Sequence, residues 1–290
     1  MSIMALPAYG KINLALDVLG RRPDGYHEVE MVMHNIALHD MVYLEDGLGS
    51  DISLHCPQLD IPPEENLAYR AALLLQREGR VKKGALIRIE KRIPAAAGLA
   101  GGSADAAAVL RGLNRMWDVG LSREELMALG KGLGADIPYC VHGGACLARG
   151  IGEILTPLPS LPPVQIILAK PRQDLATGAV YGGLDLDDLQ YRPHIPALTT
   201  ALEAGSLEGV AANLGNVLQG VSEGLVPEIR HLQEKMLTLG SVASMMTGSG
   251  PTVFGLVTGE EKAGDIAKKL QQNFPKAVII ITESITPDYW

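Results

Sequence analysis

The chain has 290 residues, of which 47% are hydrophobic, 20% charged and 4% aromatic. This composition excludes a disordered, collagen-like or coiled-coil protein, and the length predicts one large or two medium globular domains. The 25 Lys and Arg residues and 33 Asp and Glu residues leave a net charge of −8. Because this charge would repel a polyanion, we expect no nucleic-acid partner, and any anion site must be local.

Cysteine content and hydropathy indicate the compartment. Cys56, Cys140 and Cys146 form no even disulfide framework and show no C-x-x-C spacing, so they predict reduced thiols and no zinc site. The first residues lack the basic flank and long apolar run of a secretory signal. The longest uncharged stretch, residues 236–259, is interrupted by glycines and a proline, unlike a spanning helix. We therefore expect a cytoplasmic protein with no membrane partner, and the sequence leaves its oligomeric state open.

The first predicted element is a strand at residues 12–18. Apolar and polar residues alternate there with period two, which predicts a strand with one buried face. Lys11 and Asn13 share the other face and lie about 7 Å apart along the strand, so they can meet a ligand together. The alternative is that this face is the solvated outer face of an edge strand.

A turn follows at residues 22–27, where the sequence is Arg-Pro-Asp-Gly-Tyr-His. Pro-Asp-Gly is a strong turn sequence and would present Tyr26 and His27 beside each other. His27 can both donate and accept hydrogen bonds, and Tyr26 has a flat ring, which is a combination that suits a nucleobase. A purely structural turn is the alternative.

Periodicity predicts the other elements of the first half. Strands are expected at residues 29–38, 41–45 and 86–90, and helices at residues 65–78, after Gly102 and at about 122–131. Ser122 and Glu125 have the spacing of a capping box at the start of the third helix.

The most informative segment is a glycine-rich loop that runs directly into the second helix. Its glycines would let backbone N–H groups approach a ligand, and the helix start adds about half a positive charge, so the loop is a candidate phosphate site. The alternative is a helix start capped by Ser103, with Asp105 in the first turn. The candidate residues are Pro94, Ala95, Ala96, Ala97, Gly98, Leu99, Ala100, Gly101, Gly102 and Ser103.

Asp136 stands among glycines just after the third helix, in a segment that ends at Pro138. Taken alone, it is more typical of an N-cap, with Pro138 in the first turn of the next helix. A catalytic role for Asp136 depends on the residues that accompany it.

Four prolines within residues 156–163 predict a stiff linker and place the domains at 1–160 and 161–290. The second half is predicted to contain strands at residues 164–169, 242–246, 252–257 and 277–282, and helical stretches at residues 177–239 and 260–272. This order approximates β-α-β-β-α-β, the ferredoxin-like motif. The glycines of residues 246–252 could line a ligand's phosphates or form a plain hairpin turn.

Several common catalytic motifs are absent from the sequence. No glycine loop ends in Gly-Lys-Ser/Thr and no G-x-G-x-x-G occurs, which disfavours Walker-type NTPases and ordinary Rossmann enzymes. H-E-x-x-H and G-x-S-x-G are also missing, which weakens a hydrolase interpretation.

Over essentially its whole length, the chain resembles the GHMP kinase superfamily. The resemblance rests on segments 8–14, 22–27, 98–105, 134–138 and 247–252, in this order. It implies an α+β fold of two domains, the first similar to ribosomal protein S5 domain 2 and the second ferredoxin-like. It also implies an ATP-dependent phosphotransferase with an alcohol acceptor. The 22–27 segment is similar to that of members whose alcohol is linked to cytidine diphosphate.

The resemblance assigns roles by motif at the reacting end of the site. Asp136 would accept the hydroxyl proton or orient the hydroxyl, and Lys11 would keep that carboxylate ionised and help neutralise developing charge. Asn13 would contact the substrate near the same hydroxyl. Residues 94–103 would hold the phosphates of ATP. Mg²⁺ is expected with ATP, but its ligands cannot be assigned from the sequence, and phosphates and water would chiefly hold it.

At the other end of the substrate, the resemblance implies that Tyr26 and His27 bind the cytidine. By its position, Tyr181 is similar to the aromatic residue of the family that stacks on cytosine, and Thr177 lies nearby in the sequence. Two other functions stay open. One is another small-alcohol kinase of the family, of the homoserine or mevalonate type, and the other is a non-catalytic ligand sensor on the same fold.

The chain also departs from the family pattern. Ala96, Ala100 and Ala104 stand where members often carry Gly, Gly and Ser. We therefore expect the phosphate loop to be slightly bulkier here.

Overall fold

The computed structural model describes residues 3–290 and contains two β-sheets. The first half consists of β1 (Met4–Arg21), β2 (His27–Asp46), β3 (Ile52–His55), a 3₁₀ turn (Pro63–Glu65), α1 (Leu67–Glu78), β4 (Ala85–Glu90), α2 (Gly101–Met116), α3 (Arg123–Lys131), α4 (Ile137–His142), β5 (Ala145–Gly150) and β6 (Ile154–Leu158). The second half consists of β7 (Gln165–Lys170), α5 (Thr177–Gly182), α6 (Ile195–Glu203), α7 (Leu207–Ala212), β8 (Gly215–Asn216), α8 (Gln219–Leu225), α9 (Glu228–Leu239), β9 (Ala243–Met246), β10 (Val253–Val257), α10 (Glu260–Asn273) and β11 (Val278–Glu283).

The first sheet has seven strands, with β3-β4-β2-β1-β8 in order and β5 and β6 continuing from β2. Strand β2 is antiparallel to β1, β4 and β5. The two strands expected at residues 29–38 and 41–45 are thus one continuous strand. The short strand β8 joins β1 in parallel, so a segment of the second half completes the sheet of the first.

Both faces of β1 are covered, and the prediction of one buried face is therefore wrong. Every residue from Lys11 to Val18 is buried. Ile12 lies in the apolar core that includes Phe254 of the second sheet, whereas Leu16 lies in the core that includes helices α1 and α2. Ile12 and Leu16, which the alternation puts on one face, thus lie in different cores, because the register of β1 and β2 shifts between Asn13 and Ala15.

The helices predicted for the first half are confirmed, with small shifts at their ends. Ser122 accepts a hydrogen bond from the Glu125 N–H, and the Glu125 carboxylate accepts one from the Ser122 N–H at 2.8 Å, which confirms the capping box of α3. The alternative in which Ser103 caps α2 is wrong, because this helix begins after Ala100 and contains Ser103 and Asp105. No helix among the described residues is long and apolar enough to cross a membrane.

The second sheet has the order β11-β7-β10-β9, with each neighbouring pair antiparallel. Together with the helices that connect its strands, this order confirms the ferredoxin-like motif. The stretch expected to be helical at residues 177–239 contains helices α5 to α9 and also strand β8. Residues 159–164 connect the two sheets after β6, and the domain limits at 1–160 and 161–290 remain a prediction.

Candidate active site

A single cleft with a volume of about 1290 Å³ is lined by residues from both halves of the chain. Every residue to which the family resemblance gives a role lines it. These residues are Lys11, Asn13, Tyr26, His27, Pro94, Ala95, Ala96, Ala97, Gly98, Leu99, Ala100, Gly101, Gly102, Ser103, Asp136, Thr177 and Tyr181. The fold thus brings together segments that are up to about 170 positions apart in the sequence.

Lys11 and Asn13 are buried and hydrogen-bonded to each other. The Lys11 Nζ donates to the Asn13 Oδ1 at 2.8 Å, and the two residues are 4% and 0% exposed, so a solvated outer face is excluded. The Lys11 backbone N–H donates to the Leu99 carbonyl at 3.1 Å, which links β1 to the glycine-rich loop. A Cβ on Gly248 would lie 3.3 Å from the Lys11 Nζ. Loops from both halves therefore lie against Lys11.

Asp136 occupies the N-cap position of α4, but its side chain does not cap the helix. Its backbone carbonyl accepts the Cys140 N–H at 3.0 Å, and Pro138 in the first turn has no N–H to be capped. The half-buried carboxylate is therefore available to contact a ligand in the cleft that it lines.

The charges of Lys11 and Asp136 both act on Cys140, although the two residues form no close ion pair. Within residues 3–290, no ion pair joins them at 4.0 Å or less. Burial raises the pKa of the Cys140 thiol, Asp136 raises it further and Lys11 opposes the rise. Burial also raises the pKa of the Tyr181 phenol, and the charge of Asp136 adds to this effect. An anionic carboxylate and a cation thus border the same region of the cleft.

The glycine-rich loop contains three residues with left-handed backbone conformation, namely Ala96 (φ 48°), Gly98 (φ 72°) and Ala100 (φ 59°). Such conformations occur in the backbone nests that bind anions. Helix α2 begins directly after Ala100, and its first turn contains no acidic residue. The positive end of the helix dipole therefore meets the loop without a competing negative charge, as an anion site requires.

His27 and Tyr181 bring the 22–27 turn and helix α5 together. Their ring centroids lie 5.0 Å apart, with 36° between the ring planes. Tyr26 is 58% exposed and is therefore accessible from solvent. The Thr177 hydroxyl lies 3.0 Å from the Ser249 hydroxyl, so Thr177 contacts the β9–β10 loop.

The β9–β10 loop lines the cleft through Gly248 and Ser249 and is more than a plain hairpin turn. The Asn13 backbone N–H donates to the Thr247 Oγ1 at 2.9 Å. The Asn216 side-chain amide donates to the carbonyl of Gly248 at 2.8 Å. The glycines of the loop were a sequence signal, but nothing in the sequence pattern singled out Asn216.

A buried charge cluster, formed by Asp40, Lys91 and Asp105, also borders the cleft and was not predicted. The Lys91 Nζ donates to the Asp40 carboxylate and, at 2.7 Å, to the Asp105 carboxylate. Asp40 also accepts the Ile93 N–H at 2.8 Å, whereas the Asp105 Oδ1 has no hydrogen-bond partner within residues 3–290. Burial raises the pKa of Asp105 to about 7. Burial thus favours the protonated form of Asp105 relative to an exposed carboxyl group.

Comparison with known proteins gives matches to both halves. The family profile "GHMP kinases N terminal domain" matches residues 66–144, and "GHMP kinases C terminal" matches residues 195–276. Two relatives are named 4-diphosphocytidyl-2-C-methyl-D-erythritol kinase. The one from Alkaliphilus metalliredigens is 49% identical over 257 residues, which is 88% of each chain. The one from Pelotomaculum thermopropionicum is 44% identical over 288 residues, which is 99% of each chain.

Solved structures agree with these matches. A crystal structure of 4-(cytidine 5'-diphospho)-2C-methyl-D-erythritol kinase matches with a TM-score of 0.82 and 35% identity, and the match covers 97% of this chain and 100% of that chain. Homoserine kinase from Cytophaga hutchinsonii matches with a TM-score of 0.78 and 16% identity, over 99% of this chain and 95% of that chain. The second match shows a common fold.

Proposed function

This chain belongs to the GHMP kinase family, and we propose that it transfers a phosphoryl group from ATP to the 2-hydroxyl of 4-diphosphocytidyl-2-C-methyl-D-erythritol. This reaction is a step in the non-mevalonate synthesis of isoprenoid precursors. One observation carries the proposal: Lys11 and Asp136, the glycine-rich loop and the ring pair His27–Tyr181 line the same cleft. Relatives that match 88% to 99% of the chain carry the name of this kinase.

Phosphoryl transfer requires mainly positioning and electrostatic stabilisation. Asp136 would accept the proton of the 2-hydroxyl or fix the orientation of this group, because its carboxylate is not used in capping α4. Lys11 would place a positive charge beside the reacting oxygen atoms, and its hydrogen bond to Asn13 would keep the ammonium in position.

The glycine-rich loop, residues 94–103, would hold the phosphates of ATP at the start of α2. Its left-handed residues and the positive helix end support this role. The adenosine would extend along the cleft past Leu59 and Leu67, two apolar residues that also line it.

The ring pair His27–Tyr181 would bind the cytosine, with Tyr26 and Thr177 contributing at its border. An aromatic ring offers a flat apolar face to a base, and a histidine adds a donor and an acceptor. Asn13 would contact the other end of the substrate beside its hydroxyl.

Magnesium would arrive with ATP. Within residues 3–290, no group of three or more His, Cys, Asp or Glu side chains is placed to hold a metal ion. We therefore propose that phosphates and water supply most of its ligands. When bound, Mg²⁺ would neutralise part of the phosphate charge.

The proposed compartment is the cytoplasm. Cys56, Cys140 and Cys146 are all free thiols, and free thiols persist where the surroundings are reducing. The net charge of −8 supports a small-molecule substrate rather than a nucleic acid.

The test is an assay of the purified protein with ATP and Mg²⁺ against three alcohols: 4-diphosphocytidyl-2-C-methyl-D-erythritol, homoserine and mevalonate. We expect phosphorus NMR to show a new monoester at the 2-hydroxyl of the first compound, with the diphosphate intact. Turnover of only homoserine or mevalonate would contradict the cytidine assignment. Binding of ATP without turnover of any alcohol would favour a ligand sensor.

A further inference from the structure

The diphosphate of a cytidine-linked substrate needs a cation in the cleft. This inference rests on the proposed function, because only that substrate carries a diphosphate between its base and its reacting hydroxyl. Asp136 and Asp185 line the cleft, and the whole chain has a net charge of −8. A substrate diphosphate would therefore enter negative surroundings unless a cation faces it.

Among the residues that the structure describes, the cleft is lined by three cationic side chains, those of Lys11, Arg21 and Lys91. Lys91 is bound by the carboxylates of Asp40 and Asp105. Lys11 is hydrogen-bonded to Asn13 at 2.8 Å and belongs to the proposed reaction centre. Two of the three cations are thus already engaged.

Arg21 differs from these two cations and from its neighbour Arg22. Its side chain is exposed to the cleft, and within residues 3–290 no carboxylate lies within 4.0 Å of it. Arg22, in contrast, forms ion pairs with Asp24 at 3.1 Å and with Glu28 at 2.9 Å. Arg21 is therefore a guanidinium group that is free to bind a ligand.

The register of the sheet places Arg21 beside the proposed base site. Arg21 on β1 is the direct partner of His27 on β2, and directly paired residues of an antiparallel ladder project their side chains on the same face. His27 in turn lies 5.0 Å from Tyr181. The side chain of Arg21 thus leaves the backbone next to the aromatic pair to which the cytosine is assigned.

We propose that Arg21 binds the diphosphate of the cytidine-linked substrate. A guanidinium group presents two parallel N–H donors that match two phosphate oxygens, and such charge-assisted bonds are stronger than neutral ones. Arg21 would thereby distinguish a nucleoside-diphosphate-linked alcohol from a free alcohol that lacks this group. It is a binding residue for the substrate and takes no part in the proton transfer.

The test compares Arg21→Gln, Arg21→Lys and the control Arg115→Gln with the wild-type protein. Arg115 lies in the last turn of α2, is exposed, and does not line the cleft, so its substitution removes the same charge elsewhere. For Arg21→Gln we expect the KM of the cytidine-linked substrate to rise about tenfold, with kcat and the KM of ATP within about twofold of wild type. Arg21→Lys should recover part of the loss, and Arg115→Gln should behave as wild type.

Competitive inhibition by CDP and by cytidine separates a phosphate contact from a structural effect. In Arg21→Gln, the inhibition constant of CDP should rise about tenfold, while that of cytidine, which has no phosphate, should not change. An unchanged CDP constant, or equal losses for CDP and cytidine, would overturn the assignment of Arg21 while leaving the kinase proposal intact. A wild-type protein that neither phosphorylates the substrate nor binds CDP would overturn both.

Discussion

The backbone of Gly98 lies so close to Thr247 that a Cβ at position 98 would be 2.6 Å from the Thr247 carbonyl oxygen. Gly98 belongs to the glycine-rich loop of the first half, and Thr247 belongs to the β9–β10 loop of the second. The proposed phosphate site is therefore fixed by contact between two loops that come from different sheets.

This contact predicts that Gly98→Ala disrupts the site. The substitution would both strain a residue at φ 72° and push the two loops apart, and we expect the free energy of unfolding to fall by about 2 kcal/mol. The KM of ATP should rise as well. Urea unfolding and steady-state kinetics measure the two effects. A control is Gly264→Ala on α10, where a Cβ meets no atom within 4 Å and stability should not fall. If both variants had the same free energy of unfolding and the same KM of ATP, the contact between the two loops would not matter for stability or binding.

Asp136→Asn is expected to lower kcat by at least about a hundredfold, because the amide keeps the shape of the carboxylate but loses its charge and its capacity to accept a proton. Dissociation constants for ATP and CDP, measured by calorimetry, should stay near those of the wild-type protein. A kcat within tenfold of wild type would remove Asp136 from the proposed proton transfer.

His27→Ala should weaken binding of the cytidine-linked substrate, because it deletes one ring of the pair that includes Tyr181. We expect the KM of this substrate to rise about tenfold, in line with roughly 1–3 kcal/mol for a stacked base, and the KM of ATP to change little. His231→Ala, at an exposed position of α9, is the matched control. An equal rise for both substrates would argue against base recognition.

The raised pKa of Asp105 predicts how stability depends on pH. Its pKa in the folded protein is about 7, against an ordinary value of 3.8, so between these pH values the folded state holds a proton that the unfolded state lacks. The free energy of unfolding must then fall as pH rises through this window. Asp105→Asn removes that contribution.

Urea unfolding between pH 5 and 8 tests this dependence. As pH rises, the free energy of unfolding should fall less for Asp105→Asn than for the wild-type protein. Asp265→Asn, at an exposed position of α10, provides a comparison without a buried carboxyl group. If the free energies of unfolding of Asp105→Asn and wild type changed in parallel with pH, Asp105 would not be the group that titrates.

Ala100→Gly should stabilise the protein. Ala100 has φ 59°, a conformation that costs roughly 1 kcal/mol or more for a residue with a Cβ and little for glycine. We expect the free energy of unfolding to rise by up to about 1 kcal/mol, measured by chemical denaturation. Ala104→Gly, inside α2, should instead lower the free energy of unfolding, because glycine is unfavourable in a helix interior. A loss of stability in Ala100→Gly would show that the loop gains nothing from glycine.

Local signals in the sequence predicted local structure well. The Ser122–Glu125 capping box acts within one helical turn, so its spacing alone identified the start of α3. The alternation around Lys11 and Asn13 placed both side chains on one face of a strand. Their burial was missed, because it depends on residues far along the chain, such as Thr247 and Gly248, which lie beside them.

Long-range contacts account for most of what the sequence did not reveal. Lys91 meets Asp40 from 51 positions away, and Asn216 supports a loop 32 positions further along, so neither belongs to a recognisable motif. Asp136 was correctly placed at an N-cap position, but only the structure shows that its carboxylate is not used there. Strand β8 was missed because two residues are too few for a periodic pattern.

The pairing of β8 with β1 has a consequence for any attempt to produce the halves separately. Gly215 and Asn216 pair with Ala15 and Leu16, so a fragment that ended at residue 160 would leave β1 without its outer neighbour. A long apolar edge strand of this kind recruits other chains. Such a fragment is expected to aggregate on expression, and adding the missing half in trans should restore solubility.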